Sequence, residues 1–370
     1  MDCFASIAPG LEEALADELA DIGVRGRVEP GGVRFKGNVT GLYAVHLHSR
    51  LAGRVTVEVC RVRAKTLDGL GQGVRKAAWK KYIWPGQPFE VKSTLRGSKL
   101  RHGSSVQKKV QHAIADSLRG PRLPGPRPPR EAASVIVRII DDHAILSINA
   151  SGELLHRRGW RKATAKAPLR ENLAASCLRL ADWNPGEALV DPMCGAGTFA
   201  IEAAGIAMGH APGGRRSYGF ERWPCFEAAP WKKALSAAKK SRPLDDSNAT
   251  ILGADRDEGA IKASRSNAQR ANVDRRLSFR QIAFAELMPP GDRGLLILNP
   301  PYGNRVGKNS DAGRIFKGIG DVLKANWQGW GLAILVPAPK LLGALAMDLE
   351  EQASFKNGGL NVGLYTGEVR

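Results

Sequence analysis

The sequence predicts an α/β protein, with a carboxyl-terminal parallel sheet flanked by helices behind an α+β front half. Three observations carry this. From residue 188 onward, short apolar segments alternate with helix-patterned ones. Strands so apolar fit a parallel sheet covered on both faces. Two of these segments end in turns built from Gly or Pro beside an acid or amide, at 191–198 and 299–303. Finally, 18 Lys and Arg stand against 4 Asp and Glu between residues 60 and 138, although the net charge of the whole chain is only +19.

In chain order, residues 10–22 carry Leu11, Leu15, Leu19 and Ile22 as a helical stripe, and Gly23 ends it. Residues 28–35 read as strand, turn and strand around Pro30-Gly31-Gly32. A helix at 42–51 and a strand at 54–62 follow, the latter alternating Val55, Val57 and Val59. Next come a helix at 73–80, a strand at 89–93, a helix at 105–118, a Pro-rich loop at 120–129, and strands at 133–140 and 143–149. The first 150 residues thus read as two small α+β units, the second strongly basic. Beyond them, strands are expected at 188–192, 250–255, 277–282, 295–300 and 331–336. Helices are expected at 198–208, 258–271, 313–324 and 340–352. In such sheets ligands lie beyond the carboxyl ends of the strands.

Length and composition narrow the possibilities. A chain of 370 residues exceeds one ordinary core, so two or three domains are expected. No apolar run approaches the roughly 18 residues of a membrane span, and the start lacks the pattern of a signal peptide. Five cysteines without CxxC spacing and seven histidines without ligand spacing argue against disulfides and metal, and suit a reducing cytoplasm. The basic segment fits a polyphosphate partner, because each neutralised phosphate releases counterions.

The first turn, Asp191-Pro192-Met193-Cys194-Gly195-Ala196-Gly197-Thr198, joins a strand to a helix. Its glycines allow a tight turn and close approach of a ligand to the backbone. Packing alone would explain a bare Gly-Ala-Gly, but the next strand ends in Asp255, which can accept from two ribose hydroxyls. The dinucleotide fingerprint also matches Gly195 to Ala200, yet its acid belongs about 20 residues on. Asp255 lies beyond a long insert, and Asp191 suits a cationic amino-acid head group rather than a pyrophosphate.

The second turn is Asn299-Pro300-Pro301-Tyr302-Gly303. Two prolines end a strand and hold the chain extended. The Asn299 amide oxygen and the Pro300 carbonyl can then both accept from one exocyclic amine, with Tyr302 stacking on its base. An amine so held offers its lone pair to an electrophilic methyl group, and orientation supplies most of the catalysis. Cys194 fits the loop by its small size rather than as a nucleophile. Trp223 and Trp231 fit packing better than base stacking. Arg157, Arg158, Arg161 and Lys162 fit either phosphate contact or a solvated linker, and His156 a surface position.

With these motifs the chain resembles the THUMP-domain class I methyltransferases, and among them the large-subunit rRNA guanine-N2 group most closely. Pro9-Gly10-Leu11-Glu12, residues 31–37, Ser49-Arg50-Leu51-Ala52, residues 155–161 and residues 356–360 carry the resemblance outside the two turns. It implies a Rossmann-like class I methyltransferase domain at 171–370. A ferredoxin-like subdomain (1–52), a THUMP RNA-binding domain (53–152) and a basic linker (153–170) would precede it. It further implies S-adenosyl-L-methionine as cofactor. Asp191, Pro192, Cys194, Gly195, Gly197 and Thr198 would hold its methionine end, Asp255 its ribose, with Arg256, Phe284 and Asn299 adjoining. Asn299, Pro300, Pro301 and Tyr302 would hold the target base. One departure stands out: the family's acid after the third strand, which accepts from the adenine amine, is Ala283 here, so either Glu286 substitutes or backbone and apolar contacts alone hold the adenine.

The expected activity is N2-methylation of a guanine in 23S rRNA or a ribosome precursor, in the cytoplasm and away from membranes. A tRNA guanine-N2 methylase shares the plan, and adenine N6 suits the same grip. A DNA methylase, a dehydrogenase and an RNA-binding assembly factor with a weakened methylase fit less well.

Overall fold

The computed structural model describes residues 1–119, 128–162, 169–240, 249–301 and 309–370. Most of the expected Pro-rich loop, and Tyr302 with Gly303, therefore lie outside the described residues.

The front half runs β1 (Asp2–Ser6), α1 (Glu12–Asp21), β2 (Gly26–Glu29), β3 (Gly32–Lys36), α2 (Val39–His48), β4 (Arg54–Arg63), α3 (Leu67–Arg75), β5 (Phe89–Arg96), α4 (Gly103–Leu118), β6 (Ala133–Ile140) and β7 (His143–Asn149). Its two α+β units are joined as one seven-stranded sheet, in the order β2-β3-β1-β4-β7-β6-β5. The join is β4, whose alternating valines sustain a ten-residue strand. It pairs with β1 on one side (Val57 opposite Cys3) and with β7 on the other (Val57 opposite Ile148). The helix expected at 73–80 begins earlier, at Leu67, because the Thr66 hydroxyl accepts from the Gly69 amide and caps it.

The second half contains α5 (Glu171–Leu180), β8 (Leu189–Asp191), α6 (Thr198–Ala207), α7 (Ala228–Ala238), β9 (Ile251–Asp255), α8 (Glu258–Ala271), β10 (Ser278–Gln281) and β11 (Leu295–Leu298). After these come α9 (Asn309–Asn326), β12 (Gly331–Val336), α10 (Lys340–Leu345), β13 (Glu350–Asn357) and β14 (Leu360–Glu368). The sheet order is β10-β9-β8-β11-β12-β14-β13; β8 to β12 pair parallel, and β14 is antiparallel to both neighbours. The helix expected to reach residue 352 stops at Leu345. Ala346 turns left-handed (φ +52°), and the chain re-enters the sheet as β13. Gly358 and Gly359, both at positive φ, then make the hairpin to β14, since two consecutive left-handed residues match the twist of the strands.

Successive strand residues face opposite sides, as the pleat requires. Val190, Leu252, Leu296 and Ile334 enter one core, with Phe316 and Leu323 of α9. Leu189, Ile251, Ile297 and Ala333 enter the other, which runs on through α5 and α6 into the front half. The two halves therefore share a core. In the insert after α6, Trp231 packs with its ring centroid 5.0 Å from that of Tyr43 on α2, tilted by 59°, and Trp223 meets Tyr82 edge to face with centroids 5.0 Å apart. Both tryptophans are buried packing residues, as expected.

Candidate active site

The carboxyl ends of β8, β9 and β11 bring the two turns together. Leu296 pairs with Val190, so Asp191 and Asn299 emerge from adjacent parallel strands. Asp191 is 2% exposed, and Met193 N donates to its Oδ1 at 3.3 Å. Burial drives its carboxyl well above the usual carboxylate range, and the nearby Asp255 charge adds to this. A buried acid in that condition calls for a cationic partner.

The turn itself is held from three sides. Gly195 and Gly197 take left-handed φ values of +53° and +80°. Gly195 N donates to Asp255 Oδ2 at 2.9 Å, which ties the turn to the end of β9. Asp257 N donates to the other Asp255 oxygen at 3.0 Å; a carboxylate has about four acceptor sites, so two remain for a ligand. From α8, the fully buried Asn267 donates to the Ala196 carbonyl at 3.1 Å. From the linker, Arg161 Nη2 donates to Thr198 Oγ1 at 2.9 Å.

Gly197 has a reason the sequence did not disclose. A Cβ there would lie 2.9 Å from both Phe279 Cζ and Ser264 Cβ, so protein, rather than a ligand, fills that space. Pro192 and Cys194 are buried; burial and the charges of Asp191 and Asp255 push the Cys194 thiol far up, so it is inert. Arg256 is exposed just beyond Asp255. Phe284 is buried against Trp327, with ring centroids 6.0 Å apart. Ala283 is half-buried and Glu286 exposed.

At the end of β11, Pro300 is buried and Pro301 half-buried. Asn299 Oδ1 is shielded from solvent, yet it has no hydrogen-bond partner among the described residues. Such an acceptor costs about 1–3 kcal/mol, and its persistence at a strand end marks a place for a donor.

The linker residues are not a solvated basic strip. Arg158 is buried and Arg161 half-buried, each in an ion pair, Arg158 Nε with Glu202 at 2.8 Å and Arg161 Nε with Glu171 at 3.1 Å. Arg157 and Lys162 are exposed. His156 is half-buried; burial and the surrounding arginines lower its pKa to about 4, so it stays neutral. Glu202 lies on α6, well beyond the linker, and Glu171 opens α5 directly after it; no local pattern announces either pairing.

A mixed seven-stranded sheet with a glycine turn after its first strand and an acid ending the second defines a class I methyltransferase. Residues 158–365 match the family described as RMKL-like, methyltransferase domain, and residues 2–56 match the RlmL ferredoxin-like domain. The chain belongs to this RlmL-like methyltransferase family, whose methyl donor is S-adenosylmethionine. A Synechocystis sp. protein, slr0064, assigned provisionally by its name as an RNA methyltransferase, is 34% identical over 362 residues, 96% of this chain and 94% of its own. SMU.472, named as a methyltransferase and solved in complex with SAH, has a TM-score of 0.89 at 29% identity, covering 100% of this chain and 98% of its own. A Listeria monocytogenes protein, titled a predicted N6-adenine-specific DNA methylase, has a TM-score of 0.88 at 28% identity, covering 98% and 95%. The buried Asp191 and the free acceptor sites of Asp255 fit a donor with an ammonium group and a ribose.

Proposed function

We propose that this chain methylates the N2 amine of a guanine in 23S rRNA, or in a ribosome precursor carrying it. The observation that carries amine methylation is the buried Asn299 Oδ1, without a partner among the described residues, at the end of β11, on the strand beside Asp191. Asn299 and the Pro300 carbonyl accept from the exocyclic amine, Pro301 keeps the segment extended, and Tyr302 stacks on the base. Asp191 faces the ammonium end of S-adenosylmethionine; Pro192, Cys194, Gly195, Gly197 and Thr198 shape the turn around it. Asp255 takes the ribose hydroxyls, with Arg256 and Phe284 flanking. When bound, S-adenosylmethionine supplies an electrophilic methyl group. The residues hold the amine in line with that methyl, and the proton it sheds passes to solvent, so no strong base is required.

RNA is favoured by the 18 Lys and Arg between residues 60 and 138, and by the name of the Synechocystis relative. On this reading residues 1–52 form a ferredoxin-like subdomain, 53–152 a THUMP RNA-binding domain, 153–170 the linker and 171–370 the methylase. Guanine rests on the whole-chain resemblance. The Listeria title supports adenine N6 as the second reading.

The test is transfer of labelled methyl from S-adenosylmethionine to unmodified large-subunit rRNA, with tRNA and DNA in parallel and mass spectrometry of the nucleosides. N2-methylguanosine in the rRNA is the expected product. Label confined to tRNA, or found in N6-methyladenosine, overturns the assignment.

A further inference from the structure

A second charge cluster lies on the flank of α6, outside the turns described above. A crevice of about 580 Å³ is walled by the linker, by α6 and by the ends of α7 and α8. Arg50, Arg158, Arg215, Lys239 and Arg270 line it, against a single carboxylate, Glu202. That carboxylate is already shared, with Arg50 Nη1 at 3.2 Å from one oxygen and Arg158 Nε at 2.8 Å from the other. Lys239 and Arg270 also sit at the C-terminal ends of α7 and α8, where the helix ends offset roughly half a charge each. Among the described residues, about three positive charges still remain without an anion.

Neighbouring groups register the excess. The His210 pKa is lowered, first by burial and then by Arg215 and Arg50. Arg50 is lowered by burial; Glu202 opposes this while Arg158 reinforces it. Arg270 has its donors engaged, Nε on the Trp160 carbonyl at 2.7 Å and the others on Ser266 and Asn267. Arg215 places one nitrogen 3.1 Å from the Arg270 carbonyl, and both Arg215 and Lys239 are exposed. These two cations are the ones positioned to meet an incoming anion. Apart from the half-buried His210 imidazole, the described lining offers no free ring for a base: Trp160 is 6% exposed, with the Arg161 guanidinium 5.2 Å from its ring centre.

We propose that this crevice binds backbone phosphates of the substrate RNA, away from the target base and from the basic segment at 60–138. The inference rests on the RNA reading above and extends it. The linker and α6 wall this crevice, and α6 also carries Thr198, the last residue of the glycine turn, so RNA seated here lies against the same elements that hold Thr198.

The test uses the full chain and a large-subunit rRNA fragment, with binding followed as a function of salt. The double variant Arg215→Ala/Lys239→Ala is expected to lower affinity roughly tenfold and to reduce the log–log salt slope by about 1–2, since each phosphate contact contributes about 0.7–0.9. Its affinity for S-adenosylmethionine, by calorimetry, should match wild type. A control pair, Lys324→Ala/Lys356→Ala on α9 and β13, should change the slope little. An unchanged slope in the first variant overturns the proposal while wild-type RNA binding stands. So does thermal stabilisation of wild type, but not of the variant, by inorganic phosphate together with that unchanged slope, because the crevice would then take a small anion only. Failure of wild type to bind RNA at any salt removes the RNA reading itself, and this inference with it.

Discussion

Arg161 Nη2 donates to Thr198 Oγ1 at 2.9 Å, which binds the linker to the first residue of α6 directly after the cofactor turn. The same nitrogen reaches the Leu169 carbonyl at 2.8 Å, while Nε faces the Glu171 carboxylate at 3.1 Å. A second route runs in parallel: the Trp160 carbonyl accepts from Arg270, which also donates to Asn267, and Asn267 donates to the Ala196 carbonyl. Two consecutive linker residues are therefore hydrogen-bonded to the elements that fix residues 196–198. The segment joining the basic front half to the sheet is part of the support of the glycine turn proposed to hold the methyl donor.

Thr198→Val separates support from packing. It removes one charge-assisted hydrogen bond but leaves Arg161 paired with Glu171 and Leu169. Affinity for S-adenosylmethionine is expected to fall roughly tenfold, or about 1.4 kcal/mol, with thermal stability little changed. Arg161→Ala strands a carboxylate whose side chain is 5% exposed, and should cost about 3–5 kcal/mol of stability. Calorimetry and thermal unfolding distinguish the two. Unaltered cofactor affinity in Thr198→Val would reduce the bridge to a packing contact.

Gly197→Ala tests the reason for that glycine. The residue sits at φ +80°, and the new Cβ would meet Phe279 and Ser264 at 2.9 Å. Left-handed strain of about 1–2 kcal/mol and overpacking of about 1–3 kcal/mol add, so a loss of roughly 2–5 kcal/mol is expected by denaturant unfolding. Gly291→Ala, with nothing within 4 Å of the new atom, is the matched control and should lie within about 0.5 kcal/mol of wild type. Equal stabilities for the two variants would show that Phe279 and Ser264 yield freely.

Strands β8 to β12 and the glycine turn after β8 were legible in the sequence because their signals are local, apolar runs and Gly at fixed places, whereas β13 and β14 were not expected. What escaped depends on distant partners. Strand β1 carries only Cys3 and Ala5 as its fully buried residues, too small to announce a strand, yet it is central in its sheet. Helix α5 is buried on nearly every side, so no stripe marks it. The pairing of β4 with β7 joins residues eighty or more positions apart, and it turns two expected units into one sheet. Arg158 and Arg161 read as a charged linker because Glu202 and Glu171, which neutralise them, lie on α6 and α5.

Asp191 should make the cofactor-free protein pH-sensitive. Its carboxyl is raised above the ordinary range, so the folded state holds the proton more tightly than the unfolded chain. Stability therefore falls as pH climbs from the unfolded value, about 3.9, towards the raised folded one, and the full cost of the charge is present above both. Asp191→Asn removes that cost. Without S-adenosylmethionine, the variant is expected to melt above wild type near neutral pH, with the difference shrinking as pH falls from the raised folded value towards about 4 and gone below it. With S-adenosylmethionine the order reverses, because the variant has lost the charge that faces the ammonium group. Parallel melting curves across the pH range, or unchanged cofactor affinity, would remove Asp191 from that role.

Asn299→Ala addresses the grip on the target amine. The side-chain oxygen has no partner among the described residues and no solvent contact, so its loss relieves an unsatisfied acceptor rather than breaking a bond through that atom. The melting temperature is expected to stay within about 4 °C of wild type, a shift corresponding to roughly 1 kcal/mol. Affinity for S-adenosylmethionine should stay within about twofold, since the Asp191 and Asp255 carboxylates are untouched. Methyl transfer should nevertheless fall by on the order of 10²–10³-fold or more, because an oriented polar group at the reacting centre contributes that much. The fall belongs in kcat with single-turnover kinetics at saturating RNA, where orientation rather than binding is lost. A variant that keeps its transfer rate but loses cofactor affinity would move Asn299 from the base to the methyl donor, and the amine would then need another acceptor, with the Pro300 carbonyl the first to examine.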